Sequence, residues 1–290
     1  MDDVTERLRL IESMKTFCTD YLGLVPNNSF TKIINKDLSY YMGMSPKDSI
    51  KILSSKSAVV QYNSLAEVRF VKDYYNKRLV NKKPYDNIDI YVQRVLASVS
   101  HLQNDTEKIV SVEEDLCEDA QITPTVLNLP RASLVALIIH ENIHIHAASN
   151  HIYIKLPIEE SIADVIAYQG SKIFYKNNNE ALDEVEKNNN LWERFYNWCD
   201  KHTKILNKTY KQNVLEGRKL LEKTQEDYRN QFPDTETINN AFFMMWLPYT
   251  AKNAAVRRIL RKENPAQSIS KLGKYNHIVS LKELDAVINS

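Results

Sequence analysis

The sequence has few of the residues that mark several common protein classes. Glycine occurs only five times in 290 residues, and no glycine-rich loop that could cradle a phosphate is present. The three cysteines, Cys18, Cys117 and Cys199, are far apart and show no metal-binding spacing, which favours free thiols in a reducing compartment. The sequence therefore gives no support for nucleotide chemistry or for a cysteine-ligated metal.

Long apolar runs and an excess of charge of one sign are also missing. No segment approaches the roughly eighteen apolar residues that a membrane-spanning helix needs, and the acidic start Met1–Glu6 does not match a standard export signal. The formal net charge is +1, and the tyrosines are scattered rather than interleaved with basic residues. The sequence thus predicts a cytoplasmic protein without nucleic-acid or membrane partners.

The first part of the chain shows both helical and strand patterns. Apolar residues at helical spacing predict a helix from Val4 to Tyr21 that ends at Gly23. Runs typical of β-strands follow at Ala58–Tyr62 and Ile88–Val92, separated by a charged amphipathic helix at Leu65–Val80. These patterns predict a small mixed α/β lobe.

The last part of the chain has the pattern of long helices. Charged helical sequence continues beyond Tyr175 to Phe232, punctuated by asparagine-rich stretches. The predicted apolar seam of these helices consists of Ile205, Tyr210, Val214 and Leu221. We therefore expect long packed helices in this region.

The most informative segment is His140-Glu141-Asn142-Ile143-His144, which matches the pattern H-E-x-x-H. Residues four apart lie on the same face of an α-helix, so both imidazoles can bind one metal ion while Glu141 lies beside it. The apolar run Leu134–Ile139 leads into the motif, with Pro130 at the predicted first helical position. The alternative is an ordinary core helix whose histidines bond to backbone groups.

A second predicted helix supplies a candidate for a third metal ligand. It follows a short linker that contains Pro157 and starts with Glu159-Glu160-Ser161-Ile162-Ala163-Asp164. Zinc in hydrolytic sites takes three protein ligands and keeps one position for water, so a carboxylate from this helix completes the set. Glu160 is the preferred ligand and Glu159 its competitor. Asp164, one turn further, is placed to accept the free ring N–H of a histidine, although acidic residues are also common in the first turn of any helix.

These residues carry a resemblance to a known family. The chain resembles the bacterial zinc aminopeptidases of the gluzincin type, which place H-E-x-x-H before an N-E-S-x-A segment and, much later, an N-N-A segment followed by a tyrosine. The matching positions here are His140–His144, Glu159–Ala163, Asn239–Ala241 and Tyr249. Weaker similarity at Phe17–Phe30 and Asp89–Val95 extends the resemblance over most of the chain.

The resemblance implies a zincin-like metallopeptidase with one zinc ion per chain. Zinc bound by His140, His144 and Glu160 would activate a water molecule, and Glu141 would serve as the general base in peptide-bond hydrolysis. One departure concerns Glu159, which replaces the asparagine that the family usually has before the glutamate ligand. The zinc chemistry is expected to survive this change, whereas the substrate preference of the family does not carry over with it.

Roles for residues near the C-terminus also follow from the resemblance. Tyr249 is the first candidate to stabilise the oxyanion of the tetrahedral intermediate, with Tyr275 and His277 in reserve. Asn239 and Asn240 are candidates for contacts with substrate. For each tyrosine, a buried ring with a hydrogen-bonded hydroxyl is the structural alternative.

The expected fold class is α+β and predominantly helical. Hydrophobic residues make up 43% of the chain, which is enough to form a good core. We divide the chain into a mixed α/β lobe at residues 1–130, the zinc-binding helices at residues 131–176 and a helical lobe at residues 177–290. The three parts are expected to form one catalytic unit.

The predicted function is zinc-dependent hydrolysis of a peptide or protein substrate, with aminopeptidase action implied by the resemblance. The acidic loop Glu113–Asp115 is a candidate to bind a free amine, although a solvated surface explains it more simply. His146 and His151 are predicted bystanders. The alternative function is a non-catalytic protein that keeps zinc for structure, and the intact Glu141 weighs against it. A protease exported by an unconventional route is a further alternative.

Overall fold

A computed structural model describes most of the chain in separate ranges. These are residues 4–33, 39–50, 59–62, 88–95, 122–232, 238–250, 253–260, 263–273 and 277–289. Several predicted features lie outside the described residues, namely the helix at Leu65–Val80, the acidic loop Glu113–Asp115, Cys117 and Tyr275.

The described residues are predominantly helical, which confirms the expected class. The helices are Val4–Thr16 (α1), Pro124–Leu127 (α2), Arg131–Ser149 (α3), Leu156–Asn177 (α4), Asp183–Gln212 (α5), Val214–Gln231 (α6), Asn240–Thr250 (α7), Asn253–Leu260 (α8), Pro265–Leu272 (α9) and Leu281–Asn289 (α10). A π-helix at Phe17–Tyr21 continues α1 directly. In the described part of the chain, no helix combines the length and the apolar composition required to cross a membrane.

Short strands form two small sheets in the described ranges. The strands are Ser39–Pro46 (β1), Val59–Tyr62 (β2), Ile88–Val95 (β3), Tyr153–Ile154 (β4) and His277–Ile278 (β5). In the first sheet, β1 lies between β2 and β3 and is antiparallel to both, so that Tyr41 pairs with Gln61 on one side and Gln93 on the other. In the second, β4 and β5 are parallel. The strands expected at 58–62 and 88–92 are confirmed over the described residues 59–62 and 88–92, whereas the sequence pattern does not predict β1.

The N-terminal helix ends where the sequence predicts. Ile11 and Met14 on its inner face are fully buried. After the π-helix, Gly23 has a φ of 74°, a left-handed conformation that glycine adopts without a clash from Cβ. The chain then runs along α3, where the Asn27 side-chain amide donates a hydrogen bond to Asn142 Oδ1 at 2.7 Å. This contact attaches the N-terminal segment to the helix that carries the H-E-x-x-H motif.

Helices α3 and α4 pack against each other, and their start points correct two expectations. Pro130 precedes the first turn of α3, which begins at Arg131. Helix α4 begins at Leu156, so Pro157 lies in its first turn and not in a linker. Proline is tolerated there because the amides of a first turn have no partner within the helix.

Two clusters of buried side chains hold the described helices together. The first surrounds α3 and α4, where Ile138, Ile139 and Ile166 are each 0% exposed. The second joins α5, α6 and α7 and is mostly aromatic, with Phe195, Tyr196, Trp198, Tyr210, Tyr228, Phe242 and Phe243 among its members. The predicted lobe boundaries at residues 130 and 176 stay a prediction.

The aromatic cluster confirms long packed helices but corrects their predicted seam. Tyr210 is buried as expected, whereas Ile205 and Val214 are 41% and 43% exposed. Asn213 interrupts the helix with an extended backbone, and its side chain accepts hydrogen bonds from the first turn of α6. The helical phase of α5 therefore does not continue into α6, so a pattern read across Asn213 assigns Val214 to the wrong face. Ile205 precedes Tyr210 on α5 by a spacing of about 140° around the helix and so does not share its buried face.

Candidate metal centre

Helices α3 and α4 bring three potential metal ligands together. His140 and His144 lie one turn apart on α3, and their Nε2 atoms are 3.1 Å from each other. Glu160, in the second turn of α4, places Oε2 3.3 Å from His140 Nε2 and 3.5 Å from His144 Nε2. The structure thus gathers the residues that the sequence predicts as ligands.

The geometry of this cluster fits a divalent metal ion. Ligand atoms about 2.0–2.1 Å from a tetrahedral zinc ion lie about 3.3 Å from one another, close to the separations observed here. Glu160 Oε2 is buried and forms no hydrogen bond with the described residues, so a cation would satisfy it. Within the described ranges, His140, His144 and Glu160 are the group whose ligand atoms are close enough together to share a metal.

Two further carboxylates orient the imidazole rings. Asp164 Oδ1 lies 3.1 Å from His140 Nδ1, and Glu159 Oε1 lies 2.8 Å from His144 Nδ1. Because each Nδ1 faces a carboxylate that can accept its hydrogen, each Nε2 is the nitrogen that presents its lone pair to the centre of the cluster once the ring is neutral. The geometry agrees with the predicted contact of Asp164. Glu159, predicted as a competing ligand, instead lies on the outer side of the His144 ring.

Burial and charge determine the protonation of the cluster. The side chains of His140 and Glu160 are only 14% and 12% exposed. Burial lowers the pKa of His140, but the adjacent carboxylates of Asp164 and Glu160 outweigh burial and raise the pKa to about 10. Burial also raises the pKa of Glu160, but the charge of His144 and the close approach of both rings hold it well below its usual value. A binding cation must therefore displace protons from the imidazoles.

The middle positions of the motif face different surroundings. Glu141 is half-buried, and its carboxylate forms no hydrogen bond or ion pair with any residue that the structure describes. Asn142 is 3% exposed and donates from Nδ2 to the Ile138 carbonyl at 2.7 Å. The motif therefore combines buried packing residues with one carboxylate that remains available for chemistry.

The Asp164 carboxylate has two more partners, which sequence reasoning misses. Asn253, the first residue of α8, donates from Nδ2 to Asp164 Oδ2 at 3.3 Å. The hydroxyl of Tyr196 on α5 also forms a hydrogen bond with Asp164. No local pattern marks either residue, because each meets Asp164 only when separate helices pack together.

Tyr249 lies next to this group. Its ring stacks on that of Tyr196, with centroids 6.2 Å apart and an interplanar angle of 14°. Burial and the charge of Asp164 raise the pKa of Tyr196, and the neighbouring Tyr249 adds to this shift. Tyr249 is therefore one aromatic ring away from Asp164, and its predicted role at the oxyanion stays a prediction.

The asparagines expected to bind substrate take part in the structure of α7. Asn239 Oδ1 accepts a hydrogen bond from the Phe242 amide at 3.1 Å, as a helix-capping side chain does. Asn240 is completely buried, and its Oδ1 accepts from the Tyr210 hydroxyl at 3.1 Å. Their predicted contact with substrate stays a prediction.

Three further histidines, His146, His151 and His277, have other positions. His146 Nδ1 accepts a hydrogen bond from the Val25 amide at 3.1 Å, and burial lowers the pKa of this ring. His151 lies between α3 and β4 with a φ of 54°. His277, a reserve candidate for the oxyanion, stacks on the exposed ring of Tyr153 in the small parallel sheet.

Comparison with known proteins identifies the family of this chain. The model of a family described as "Putative aminopeptidase" matches residues 118–277, more than half of the 290-residue chain. The chain belongs to this family. The matched range contains all of the clustered ligands, the two orienting carboxylates, and also Tyr196, Tyr249 and Asn253. No curated protein and no solved structure matches the chain.

Proposed function

We propose that this protein is a zinc-dependent aminopeptidase of the gluzincin type with a zincin-like fold. In this proposal one zinc ion per chain is held by His140 Nε2, His144 Nε2 and Glu160. The observation that carries it is the mutual distance of 3.1–3.5 Å between these three ligand atoms. The family match supports hydrolysis of peptides, and the two imidazoles with one carboxylate support zinc.

In the proposed hydrolysis, the metal ion and the protein side chains have different tasks. When bound, zinc supplies a Lewis acid that polarises the scissile carbonyl and lowers the pKa of water. Asp164 and Glu159 hold the two imidazole rings in the orientation that coordination requires. The Glu160 carboxylate balances part of the positive charge of the site from within a largely buried position.

Glu141 is the proposed general base. It follows His140 directly on α3, and its carboxylate is not engaged by any described residue. One carboxylate oxygen accepts a proton from water as the oxygen of that water attacks the peptide carbonyl. The same proton is then delivered to the nitrogen of the leaving amine as the C–N bond breaks. No covalent bond between enzyme and substrate is needed.

Tyr249 is the proposed donor to the carbonyl oxygen, which gains negative charge in the tetrahedral intermediate. The ring of Tyr249 stacks on that of Tyr196, and the hydroxyl of Tyr196 contacts Asp164. We propose an indirect role in substrate binding for Asn239 and Asn240. Both hold the start of α7, and this helix carries Tyr249.

The experiment that tests this function compares zinc-loaded wild type with Glu141→Gln on a mixed peptide library. Mass spectrometry of the products separates removal of N-terminal residues from internal cleavage. We expect wild type to release N-terminal residues and Glu141→Gln to bind zinc equally but to lose about 10²–10⁴-fold in kcat, the usual contribution of a general base. Glu216→Gln, an exposed carboxylate on α6, is the matched control and should keep full activity.

Three outcomes would overturn the proposal in different ways. Equal activity of wild type and Glu141→Gln would exclude this mechanism. Stoichiometric zinc with no cleavage of any peptide would favour the non-catalytic alternative. Cleavage of peptides with acetylated N-termini as fast as free ones would remove the aminopeptidase assignment and leave an endopeptidase.

A further inference from the structure

The carboxylate of Asp164 is held from three helices at once. Its Oδ1 lies 3.1 Å from His140 Nδ1 on α3, and its Oδ2 accepts from Asn253 Nδ2 on α8 at 3.3 Å. The hydroxyl of Tyr196 on α5 is the third partner. Since Asp164 itself lies on α4, four helices meet at one side chain.

The two outer partners are well shielded from solvent. Asn253 is 7% exposed and Tyr196 is 9% exposed. Burial, together with the charge of Asp164, raises the pKa of Tyr196 well above its usual value, so the hydroxyl keeps its proton and donates. A buried donor that loses its acceptor is costly, and both contacts therefore resist rotation of the Asp164 carboxylate.

The other orienting carboxylate is held differently. Glu159 lies 2.8 Å from His144 Nδ1 and is 20% exposed, and within the described residues no other side chain forms a hydrogen bond or an ion pair with it. The two imidazoles of the candidate centre thus have unequal support. His140 is tied through Asp164 to distant helices, whereas His144 depends on a carboxylate from the first turn of α4.

We propose that Tyr196 and Asn253 are positioning residues that act through Asp164 on His140 and strengthen metal binding at the centre. This inference rests on the proposed function, because it assumes that His140, His144 and Glu160 bind the metal. A fixed Asp164 limits rotation of the His140 ring and keeps its Nε2 directed at the ion. Packing of α5 and α8 against α4 is in this way transmitted to the metal site.

The expected size follows from the position of the two residues. Loss of a group in direct contact with a ligand typically weakens metal binding by about 10–100-fold. Tyr196 and Asn253 lie one contact further out, so we expect each single loss to weaken zinc binding by about 3–10-fold, a fraction of that range. Loss of the Tyr196 hydroxyl and loss of the Asn253 amide should both act through the Asp164 carboxylate. Their effects on the zinc dissociation constant should therefore not add to the effect of removing Asp164.

The test measures zinc dissociation constants by competition with a fluorescent chelator, using the full chain. Tyr196→Phe removes only the hydroxyl, and Asn253→Leu keeps a similar volume without the amide. We expect weaker zinc binding in each variant, and no further change when either is combined with Asp164→Ala. Tyr175→Phe is the matched control, because Tyr175 is also buried and its hydroxyl donates to a carboxylate, Glu184, at 3.1 Å.

The outcomes separate this inference from the proposed function. If wild type takes up no zinc, the proposed function fails and the inference with it. If wild type binds zinc and both single variants bind it equally tightly, the inference alone is overturned. An effect as large in Tyr175→Phe, or an undiminished effect in the Asp164→Ala background, would also overturn it, because either would indicate general destabilisation.

Discussion

Glu159 Oε1 lies 2.8 Å from His144 Nδ1, while the next residue, Glu160, directs Oε2 to within 3.5 Å of Nε2 on the same ring. Two adjacent carboxylates thus contact opposite nitrogens of one imidazole. The contact of Glu159 with Nδ1 fixes the orientation of the ring. Glu160 and the Nε2 atom of the same ring are both ligands of the proposed metal ion. The order of the two residues in α4, more than the presence of acidic side chains, gives them different roles.

This relationship predicts unequal effects of two neighbouring substitutions. Glu159→Ala should weaken zinc binding by about 10–100-fold, the typical effect of losing an orienting partner. Glu160→Ala should weaken it further, because it removes a ligand and its charge. Chelator competition on both variants gives the dissociation constants. The reverse order of the two constants would show that Glu159 is the ligand.

Zinc uptake should release protons near neutral pH. Since the pKa of His140 is raised to about 10, the metal-free ring is protonated at pH 7 and must lose its proton when zinc binds. Affinity should therefore increase from pH 6 to pH 8, by about tenfold per pH unit for each proton released. Calorimetry in buffers of different ionisation enthalpy counts these protons. A binding constant that is independent of pH, with no proton released, would contradict the raised pKa.

Asn142 should matter for stability and not for metal stoichiometry. Its amide bonds to the Ile138 carbonyl and to Asn27, both at 2.7 Å, from a position that is 3% exposed. Asn142→Ala should lower the free energy of unfolding by about 1–3 kcal/mol, because the Asn27 amide loses its acceptor. Chemical denaturation measures this difference, and elemental analysis should still find one zinc per chain.

Asn150→Ala is the matched control for Asn142→Ala. Asn150 also donates to the carbonyl four residues earlier, that of His146, at 2.8 Å, but it is exposed to solvent. Water can replace this hydrogen bond, so its loss should change stability by less than that of Asn142. Equal losses in the two variants would argue against burial as the cause.

Gly217 should not tolerate a methyl group. A Cβ at this position would lie 2.3 Å from Tyr210 Cδ1, so the ring at the contact between α5 and α6 would have to move. Gly217→Ala is expected to lower the free energy of unfolding by about 1–3 kcal/mol through overpacking. At Gly273, which has a φ of −63°, the nearest atoms would be 3.7 Å from Cβ. Gly273→Ala should therefore change stability by no more than about 0.5 kcal/mol, and thermal unfolding of the two variants compares them.

The ligand set is predictable from sequence because its geometry is local. His140 and His144 are related by one helical turn, and Glu160 lies on the next long helix of the chain. Their spacing therefore contains most of the information needed to place them together. Asn253, in contrast, meets Asp164 across 89 positions of sequence, and only the packing of α8 brings the two side chains into contact.

The fold shows the same distinction between local and distant causes. The helix that ends at Gly23 follows from local periodicity and a left-handed glycine. Strand β1 contains Gly43 and ends at Pro46, residues that are uncommon in strands, and it forms between β2 and β3 through pairing with distant segments. Local propensity therefore could not reveal it.

The most direct test of the proposed centre is X-ray absorption at the zinc edge of the zinc-loaded full chain. We predict one zinc per chain, two imidazole nitrogens and carboxylate or water oxygens at about 2.0–2.2 Å, and no sulfur. His140→Ala and His144→Ala should each remove one imidazole from this spectrum or abolish zinc binding. The proposed centre would be contradicted if the wild-type protein bound no zinc. It would also be contradicted if the zinc spectra of His140→Ala and His144→Ala were both the same as that of the wild type.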